Sequence, residues 1–397
     1  MIQLDGKNMR EELASRERRE RMLGLYLHVP FCLKKCAYCD FCSFPGEGDS
    51  TMIAYTEELC RRLIARSFDC ERRGVDTLYF GGGTPTLLPL SCFERILGVI
   101  RAHYRLTDDC EITVECNPAT ADRDYLTALR HMGVNRLSIG LQSAHDRELR
   151  LLGRSHTVAD FEAVFGDARA AGFENISADL MYGLPDQTVE DFRESLVYLA
   201  SLAPEHISAY GLKIEEGTPF HHCQDKLVLP NDDEEYEMYL LCTRILGEYG
   251  YEKYEISNFA RPGRESRHNL RYWQGGDYLG FGVAAHSCFG GERFGNSRDL
   301  AAFLRGENIL CEQTVLSPGE RDREFLMLNL RLSRGIGLEE FARRFGKPLH
   351  DYYPALTELI AAGYLQEKGG YLSFTDQGFF VSNTILSELL EAVESPD

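Results

Sequence analysis

Strand-like and helix-like segments alternate from residue 24 to about residue 215 of this 397-residue chain. Each β-prone segment is followed by one with helical periodicity, so each strand should return through a helix to a parallel neighbour. The predicted strands are Leu25–Val29, Thr77–Gly81, Glu111–Glu115, Arg136–Gln142, Ile176–Met181 and Ile207–Leu212. The predicted helices between them are Met52–Arg66, Ser91–His103, Asp122–Met132, Val158–Ala171 and Thr188–Ala200. An α/β fold with a parallel sheet follows.

Alternation of side chains along these strands predicts one apolar face and one polar face. Glu115, Gln142 and Asp179 belong to the polar face and lie near the C-terminal ends of their strands, where barrel enzymes place their chemistry. A closed eight-stranded barrel fills its interior with branched apolar side chains, so a polar inner face fits an open barrel better. A water-exposed antiparallel sheet would also alternate, but the intervening helices argue against it. The predicted fold is an open (β/α)6 partial TIM barrel that holds a polar ligand.

The C-terminal part of the chain has a different pattern. A helical segment over Leu349–Ala362 precedes a hairpin of Leu365–Gln366 and Tyr371–Phe374, and a last helix is predicted over Gly378–Glu391. Helices followed by a small β-wing predict a winged-helix-like domain. The predicted divisions are a charged extension over residues 1–23, the barrel over 24–230, a connecting region over 231–317 and the C-terminal domain over 318–397.

Charge and composition exclude several classes of protein. The formal net charge of −19 argues against a general nucleic-acid binder, because phosphate neutralisation needs clustered Lys and Arg. No apolar run approaches the roughly 18–20 residues that span a bilayer, and the charged N-terminus lacks the apolar segment of a secretory signal. Thirteen cysteines in such a chain predict the reducing cytoplasm as its location.

Three of these cysteines, Cys32, Cys36 and Cys39, follow the first strand at C-x3-C-x2-C spacing. Three thiolates on a tight loop can bind a [4Fe–4S] cluster and leave one iron open, which makes that iron a reaction site. A structural zinc ion is the rival, since Cys42 or His28 could supply the fourth ligand that zinc requires. The spacing by itself leaves both interpretations open.

A glycine-rich segment, Gly81-Gly-Gly-Thr84, directly follows the second strand. Consecutive glycines allow the backbone to approach a ligand closely, and the absence of a GxGxxG helix start argues against a dinucleotide site. Its predicted position beside the cysteine loop, on an adjacent strand, favours the cluster over zinc.

Together these motifs resemble the radical S-adenosylmethionine superfamily. Within it, the chain is similar to the branch that contains oxygen-independent coproporphyrinogen III oxidase and the HemW-type haem chaperones. The resemblance covers most of residues 24–300. The matching segments are YLHVPFC from Tyr26, GGGTPT from Gly81, EITVE from Glu111, RLSIGLQ from Arg136, DLMYGLP from Asp179, HNLRYW from His268 and GFGVAAH from Gly280.

The resemblance implies a cofactor pair. Cys32, Cys36 and Cys39 would bind the [4Fe–4S] cluster, and the methionine part of S-adenosylmethionine would chelate the open iron. One electron from the cluster would then cleave S-adenosylmethionine to a 5′-deoxyadenosyl radical. Carboxylates suit its cation or ribose hydroxyls, and an arginine suits its carboxylate. The implied S-adenosylmethionine contacts are Tyr26, Tyr38, Gly82, Gly83, Thr84, Glu115, Gln142, Arg154 and Asp179.

One position separates the two members of this branch. The oxidase carries a fourth cysteine two residues after the triad, where this chain has Phe41, as the HemW-type proteins do. The motif His268-Asn-x-x-Tyr272-Trp273 is also HemW-type, and it offers an imidazole for haem iron and aromatic rings for a porphyrin face. His286 or His28 could ligate haem instead.

The favoured interpretation is therefore a haem chaperone. Its expected partners are haem, an acceptor protein that could be membrane-associated, and an electron donor of the flavodoxin or ferredoxin type, with no nucleic acid. The first alternative is coproporphyrinogen III oxidase, which decarboxylates propionates by radical chemistry. The second alternative is a zinc-stabilised binding protein.

Overall fold

The computed structural model describes residues 22–70 and 73–391. Nearly all of the predicted charged extension over residues 1–23 therefore lies outside the described residues. In chain order the strands are β1 (Met22–Val29), β2 (Phe31–Cys32), β3 (Phe44–Pro45), β4 (Gly74–Gly82), β5 (Arg105–Cys116), β6 (Arg136–Gln142), β7 (Ile176–Tyr182), β8 (His206–Gly211), β9 (Glu252–Lys253), β10 (Asn258–Ala260), β11 (Tyr278–Phe281), β12 (His286–Phe289), β13 (Glu292–Asn296), β14 (Leu310–Val315), β15 (Ile336–Gly337), β16 (Leu365–Lys368) and β17 (Tyr371–Phe374).

The helices follow the strands of the sheet and then dominate the C-terminal part. They are Asp49–Ser67, Leu90–His103, Arg123–His131, Asp146–Leu151, Val158–Ala170, Val189–Ser201, Pro219–His222, Asp232–Glu248, Arg267–Trp273, Leu300–Leu304, Pro318–Asn329, Leu338–Phe345, Leu349–Tyr352, Leu356–Ala361, Asp376–Phe380 and Ser382–Glu391. Among the described residues, none of these helices has the length and apolar character needed to cross a bilayer.

The main sheet has twelve strands in the order β14-β13-β12-β11-β1-β4-β5-β6-β7-β8-β10-β9. Its six central strands, β1 and β4 to β8, are parallel and neighbour one another in chain order. The end strands β14 and β9 are not paired with each other, so the barrel is open. The predicted α/β open-barrel fold is confirmed, and all six predicted strands are present.

Of the strands that flank the central six, only β9 lies in a segment whose sequence predicts a strand, Tyr251–Ile256. β11 pairs with β1 in parallel, and β12 to β14 extend this edge by antiparallel pairing. β10 and β9 extend the opposite edge from β8. These strands are short and lie far along the chain from the strands they join, so their alternation gave little signal.

Inner and outer faces of the central strands differ as the alternation predicts. Leu25, Leu27 and Val29 of β1 have no exposed surface and belong to the main apolar core beneath the helices. Thr77 and Thr113 point to the inner face of the barrel, and both are fully buried.

Helices start where local hydrogen bonds favour them: both Thr157 and Thr188 form capping boxes with the acidic residue three positions later.

The C-terminal part has its own core. β15, β17 and β16 form an antiparallel sheet, and Phe341 is fully buried among the helices that pack on it. The predicted helix over Leu349–Ala362 is wrong as one element, because Pro354 cannot donate a helical hydrogen bond and two short helices result. The last predicted helix is likewise two helices, divided at Val381.

A first prediction concerns this second core. Phe341→Ala should cost about 3–5 kcal/mol of the free energy of unfolding of the C-terminal part, because the cavity left by a buried ring cannot fully collapse. Chemical denaturation, with hydrogen exchange to locate the loss, measures it. The matched control is Phe68→Ala, since Phe68 is 69% exposed; an equal loss in both variants would contradict the assignment of this core.

Candidate functional site

A cavity of about 650 Å³ opens at the C-terminal ends of the parallel strands. It is lined by residues that are far apart in the chain, because parallel strands bring their ends to one edge. Most of the residues singled out in the sequence line it: Cys32, Cys36, Tyr38, Cys39, Gly82, Gly83, Thr84, Glu115, Gln142, Arg154 and Asp179. Tyr26 does not; its ring lies against that of Tyr79, with 6.1 Å between centroids.

The cysteine loop is closed by a short pair of strands. β2 pairs with β3 in parallel as a separate two-stranded sheet, with Phe31 opposite Phe44, so the two ends of the loop lie side by side. Inside the loop, the backbone N–H of Cys39 donates to the carbonyl of Cys36 at 3.3 Å. Cys32, Cys36 and Cys39 are all partly exposed toward the cavity, whereas eight of the remaining ten cysteines are buried.

The spacing of the three sulfurs distinguishes between metal groups. A zinc ion about 2.3 Å from each sulfur would hold the sulfurs roughly 3.8 Å apart. Across residues 22–70 and 73–391, the one group of three such ligand atoms within 4.8 Å of one another is His145, Asp191 and Glu194, so the triad is more widely spaced. Wider spacing fits thiolates that bind separate irons of a cluster.

Neither proposed fourth zinc ligand is available. Cys42 is 7% exposed and belongs to the apolar core, and it does not line the cavity. The Nε2 of His28 is 2.8 Å from the carbonyl oxygen of Cys42, and its Nδ1 is 3.0 Å from the Tyr26 hydroxyl. Burial lowers the pKa of His28. The residues present therefore fit a three-thiolate cluster better than a four-ligand zinc ion.

The glycine segment packs on the start of the cysteine loop. A Cβ on Gly83 would lie 2.6 Å from the carbonyl oxygen of Phe31, and Gly82 has φ +110, which side chains disfavour. The N–H groups of Gly83 and Thr84 donate to the carbonyls of Val29 and Phe31 at 2.9 and 2.7 Å. Gly83 is thus needed for close approach to the backbone of Phe31. Gly82 and Gly83 also line the cavity, and their close approach to a ligand stays a prediction.

Glu115 connects the glycine segment to the inner face. Its carboxylate accepts from the Gly82 N–H at 3.0 Å and from the Tyr79 hydroxyl at 2.9 Å. Burial and, to a smaller extent, the nearby Asp179 raise the pKa of Glu115 to about 7, against the hydrogen bonds from Tyr79 and Gly82, which lower it. Burial also raises the pKa of Asp179, whose carboxylate lies 3.4 Å from the Ser138 hydroxyl. A cation bound in the cavity would therefore lower the pKa of both carboxylates.

Arg154 connects the cavity to the cysteine loop. Its Nη1 donates toward the Cys36 sulfur at 3.6 Å and its Nη2 donates to the Gly140 carbonyl at 3.2 Å. The Nε is buried and has no partner among the described residues. Gln142, at the end of β6, has φ +73, a strained conformation that sites of function often retain.

Two residues of the site were missed in the sequence. Tyr79 lines the cavity and holds Glu115, and inward alternation with Thr77 could have identified it. Arg136, the first residue of β6, is 2% exposed, and its buried Nε has no partner within the described chain. Its charge opposes the effect of burial on the pKa values of Glu115 and Asp179.

The His268 motif does not line the cavity but lies behind its wall, where the His268 ring stacks on that of Tyr79 with 5.2 Å between centroids. His268 is 1% exposed, with Nδ1 2.9 Å from the Thr77 hydroxyl and Nε2 2.8 Å from the Tyr272 hydroxyl. Burial lowers its pKa to about 3. Trp273 hydrogen-bonds to Glu255, a carboxyl whose pKa burial raises to about 7. In this conformation both ring nitrogens of His268 are occupied.

The comparisons with known proteins agree with one another over most of the chain. The family model "Radical SAM superfamily" matches residues 26–199, and "HemN C-terminal domain" matches residues 316–381. The chain is 35% identical to Heme chaperone HemW of Escherichia coli (strain K12), covering 93% of this chain and 98% of that protein. It is 33% identical to Heme chaperone HemW of Bacillus subtilis (strain 168), covering 93% and 99%.

A solved structure supports the fold. The structure described as coproporphyrinogen III oxidase (HemN) from Escherichia coli, a radical SAM enzyme, superposes with a TM-score of 0.82 and 26% identity, covering 95% of this chain and 92% of that one. Similarity at this level over nearly the full length of both proteins extends through the barrel and the C-terminal part. The chain belongs to the HemW family of the radical S-adenosylmethionine superfamily.

Proposed function

We propose that this protein is a haem chaperone, which binds haem and delivers it to an acceptor protein. The observation that carries the proposal is identity of 33–35% to proteins named Heme chaperone HemW, over 93% of this chain and at least 98% of theirs. Phe41 supports it, because this position lines the cavity in place of the oxidase's fourth cysteine.

The cavity residues would hold the family's cofactors. Cys32, Cys36 and Cys39 are proposed to bind the [4Fe–4S] cluster, which, with S-adenosylmethionine bound, supplies one-electron cleavage of the sulfonium. The proposed S-adenosylmethionine contacts remain Tyr38, Gly82, Gly83, Thr84, Glu115, Gln142, Arg154 and Asp179. Tyr26 would act through Tyr79, against which its ring lies.

Several of these residues have a specific proposed role in holding the cofactors. Arg154 presents a buried guanidinium to a carboxylate, and it orients the loop by its bond to the Cys36 sulfur. The carboxylates of Glu115 and Asp179 place negative charge near the sulfonium cation or near the ribose hydroxyls. Thr84 donates toward the Cys32 sulfur at 3.6 Å, which favours the thiolate form of that sulfur.

Several finer assignments remain proposals. The partners would be haem, an acceptor protein that could be membrane-associated and an electron donor of the flavodoxin or ferredoxin type, in the cytoplasm. We retain the division at residues 24–230, 231–317 and 318–397. A haem-ligating role for His268, with Tyr272 and Trp273 beside the ring, would require the imidazole to exchange its present hydrogen bonds.

The alternative function is oxidative decarboxylation of coproporphyrinogen III. The structural superposition with the oxidase favours it, with a TM-score of 0.82. The same cofactors would serve both functions, so the two are distinguished by the molecule on which the protein acts, haem or coproporphyrinogen III.

The deciding experiment gives the reconstituted, anaerobic protein haem in one assay and coproporphyrinogen III with S-adenosylmethionine in another. We expect stoichiometric haem binding, transfer of the haem to an apo-haemoprotein, and no decarboxylated porphyrinogen. Turnover of coproporphyrinogen without haem binding would establish the oxidase and refute the chaperone.

A second prediction separates the cluster from zinc. Cys39→Ser should abolish the iron and acid-labile sulfide content of anaerobically reconstituted protein, because it removes one of three thiolates. Cys42→Ser is the matched control, since this sulfur lies in the apolar core outside the cavity lining. Loss of metal in the Cys42 variant, with zinc in the wild type, would support the zinc-stabilised binding protein instead.

A third prediction concerns pH. Because the pKa of Glu115 is raised to about 7, the carboxyl is mostly protonated at pH 6 and mostly ionised at pH 8. The cation binds the ionised form, so the affinity for S-adenosylmethionine should rise about tenfold across this range and then level off. Calorimetric titration measures it.

The controls for this pH dependence are two substitutions. Glu115→Gln should bind more weakly and lose most of the pH dependence, whereas Glu57→Gln, at a side chain 56% exposed on the surface, should retain it. A wild-type pH profile that Glu115→Gln leaves unchanged would exclude this carboxyl as the titrating group.

A further inference from the structure

The cavity opening carries aromatic surface that the fold itself does not cover. Phe41 lines the cavity and is 66% exposed, and Tyr210 lines it and is 40% exposed. Burying an aromatic ring contributes roughly 1.5–3 kcal/mol. A ligand that covers these two exposed rings would therefore gain binding free energy from their burial. Tyr210 shares the inner face of β8 with Ser208, which places its ring inside the barrel mouth.

Cations surround the same opening. Lys34, Lys35 and Lys213 line the cavity and are exposed, and none of their ammonium groups forms an ion pair within the described part of the chain. Of the acids exposed at the opening, Asp40 is paired with Arg298 at 3.3 Å, which leaves Glu215. Three lysines at one site are notable in a chain with a net charge of −19.

We propose that this opening, formed by Phe41, Tyr210, Lys34, Lys35 and Lys213, is the binding site for haem. The inference rests on the proposed function and adds the place where the ligand binds. The flat apolar macrocycle stacks on the two rings, and the two ionised propionates lie against the lysines. This ligand chemistry, one aromatic plane with anionic groups at one edge, matches what the opening offers.

The proposed position has two structural consequences. Haem would lie at the mouth of the cavity that contains Cys32, Cys36 and Cys39, which brings cargo and cluster to one site. This position replaces the haem site at His268 considered above, because that ring is 1% exposed and has both nitrogens hydrogen-bonded. An acidic electron-donor protein is the competing occupant of the lysines, but a protein surface would not require Tyr210, which faces into the barrel.

The test is titration of haem into the reconstituted full-length protein, followed by the absorbance of bound haem. Phe41→Ser, Tyr210→Ala and the double charge reversal Lys34→Glu/Lys35→Glu should each weaken haem binding about tenfold or more. Tyr210→Phe should retain the wild-type affinity, because it keeps the ring. Iron content and circular dichroism of each variant verify that the cluster and the fold are retained.

Two matched controls and a modified ligand sharpen this test. Phe68→Ser removes a ring that is 69% exposed elsewhere on the surface, and Lys368→Glu reverses an exposed charge on β16; neither should change haem affinity. Haem dimethyl ester, which lacks both propionate charges, should bind the wild type and the Lys34→Glu/Lys35→Glu variant equally.

The outcomes separate this inference from the proposed function. A wild type that binds no haem refutes both. A wild type that binds haem, with Phe41→Ser, Tyr210→Ala and the lysine variant binding it equally well, refutes the site and leaves the chaperone function in place. Unchanged haem affinity with slower reduction of the cluster by an acidic flavodoxin assigns Lys34 and Lys35 to the donor and also overturns the proposal.

Discussion

The contact between the glycine segment and the start of the cysteine loop is the constraint on which the site depends. Gly83 has no side chain, so its backbone can lie against that of Phe31, where a Cβ would be 2.6 Å from the carbonyl oxygen. Two backbone hydrogen bonds, from Gly83 and Thr84, fasten this approach. The start of the loop, next to Cys32, therefore cannot shift relative to the end of β4 without breaking these two hydrogen bonds.

The polar interior of the barrel is the second constraint. Glu115 and Asp179 are buried at a cost that raises the pKa of both, and Arg136 offsets part of that cost through its charge. Buried charges with few direct partners are costly in a protein without a ligand. An inner face of this kind is selected for what it binds rather than for stability, which is consistent with a cationic cofactor at this place.

The inner part of the cavity and its opening differ in chemical character. Its inner part offers thiolates, carboxylates and a buried guanidinium, whereas its opening offers two exposed rings and three lysines. A polar charged cofactor suits the first environment, and a flat amphipathic ligand suits the second. One cavity can therefore serve a family whose members either modify a porphyrin or carry it.

The sequence by itself determined the barrel, its six central strands and the three cysteines, because period-two alternation, helical periodicity and cysteine spacing are local properties that tertiary packing does not change. It also identified Glu115, Gln142, Arg154 and Asp179 as residues that the fold brings into one cavity. It did not reveal the flanking strands β10 to β14, several of which pair with strands far away in the chain. Only the tertiary structure decided that the N–H groups of Gly83 and Thr84 serve the cysteine loop, that His268 is buried and doubly bonded, and that Phe41 stays exposed. The physical reason is that exposure and hydrogen-bond partners depend on contacts between distant segments, which no local pattern encodes.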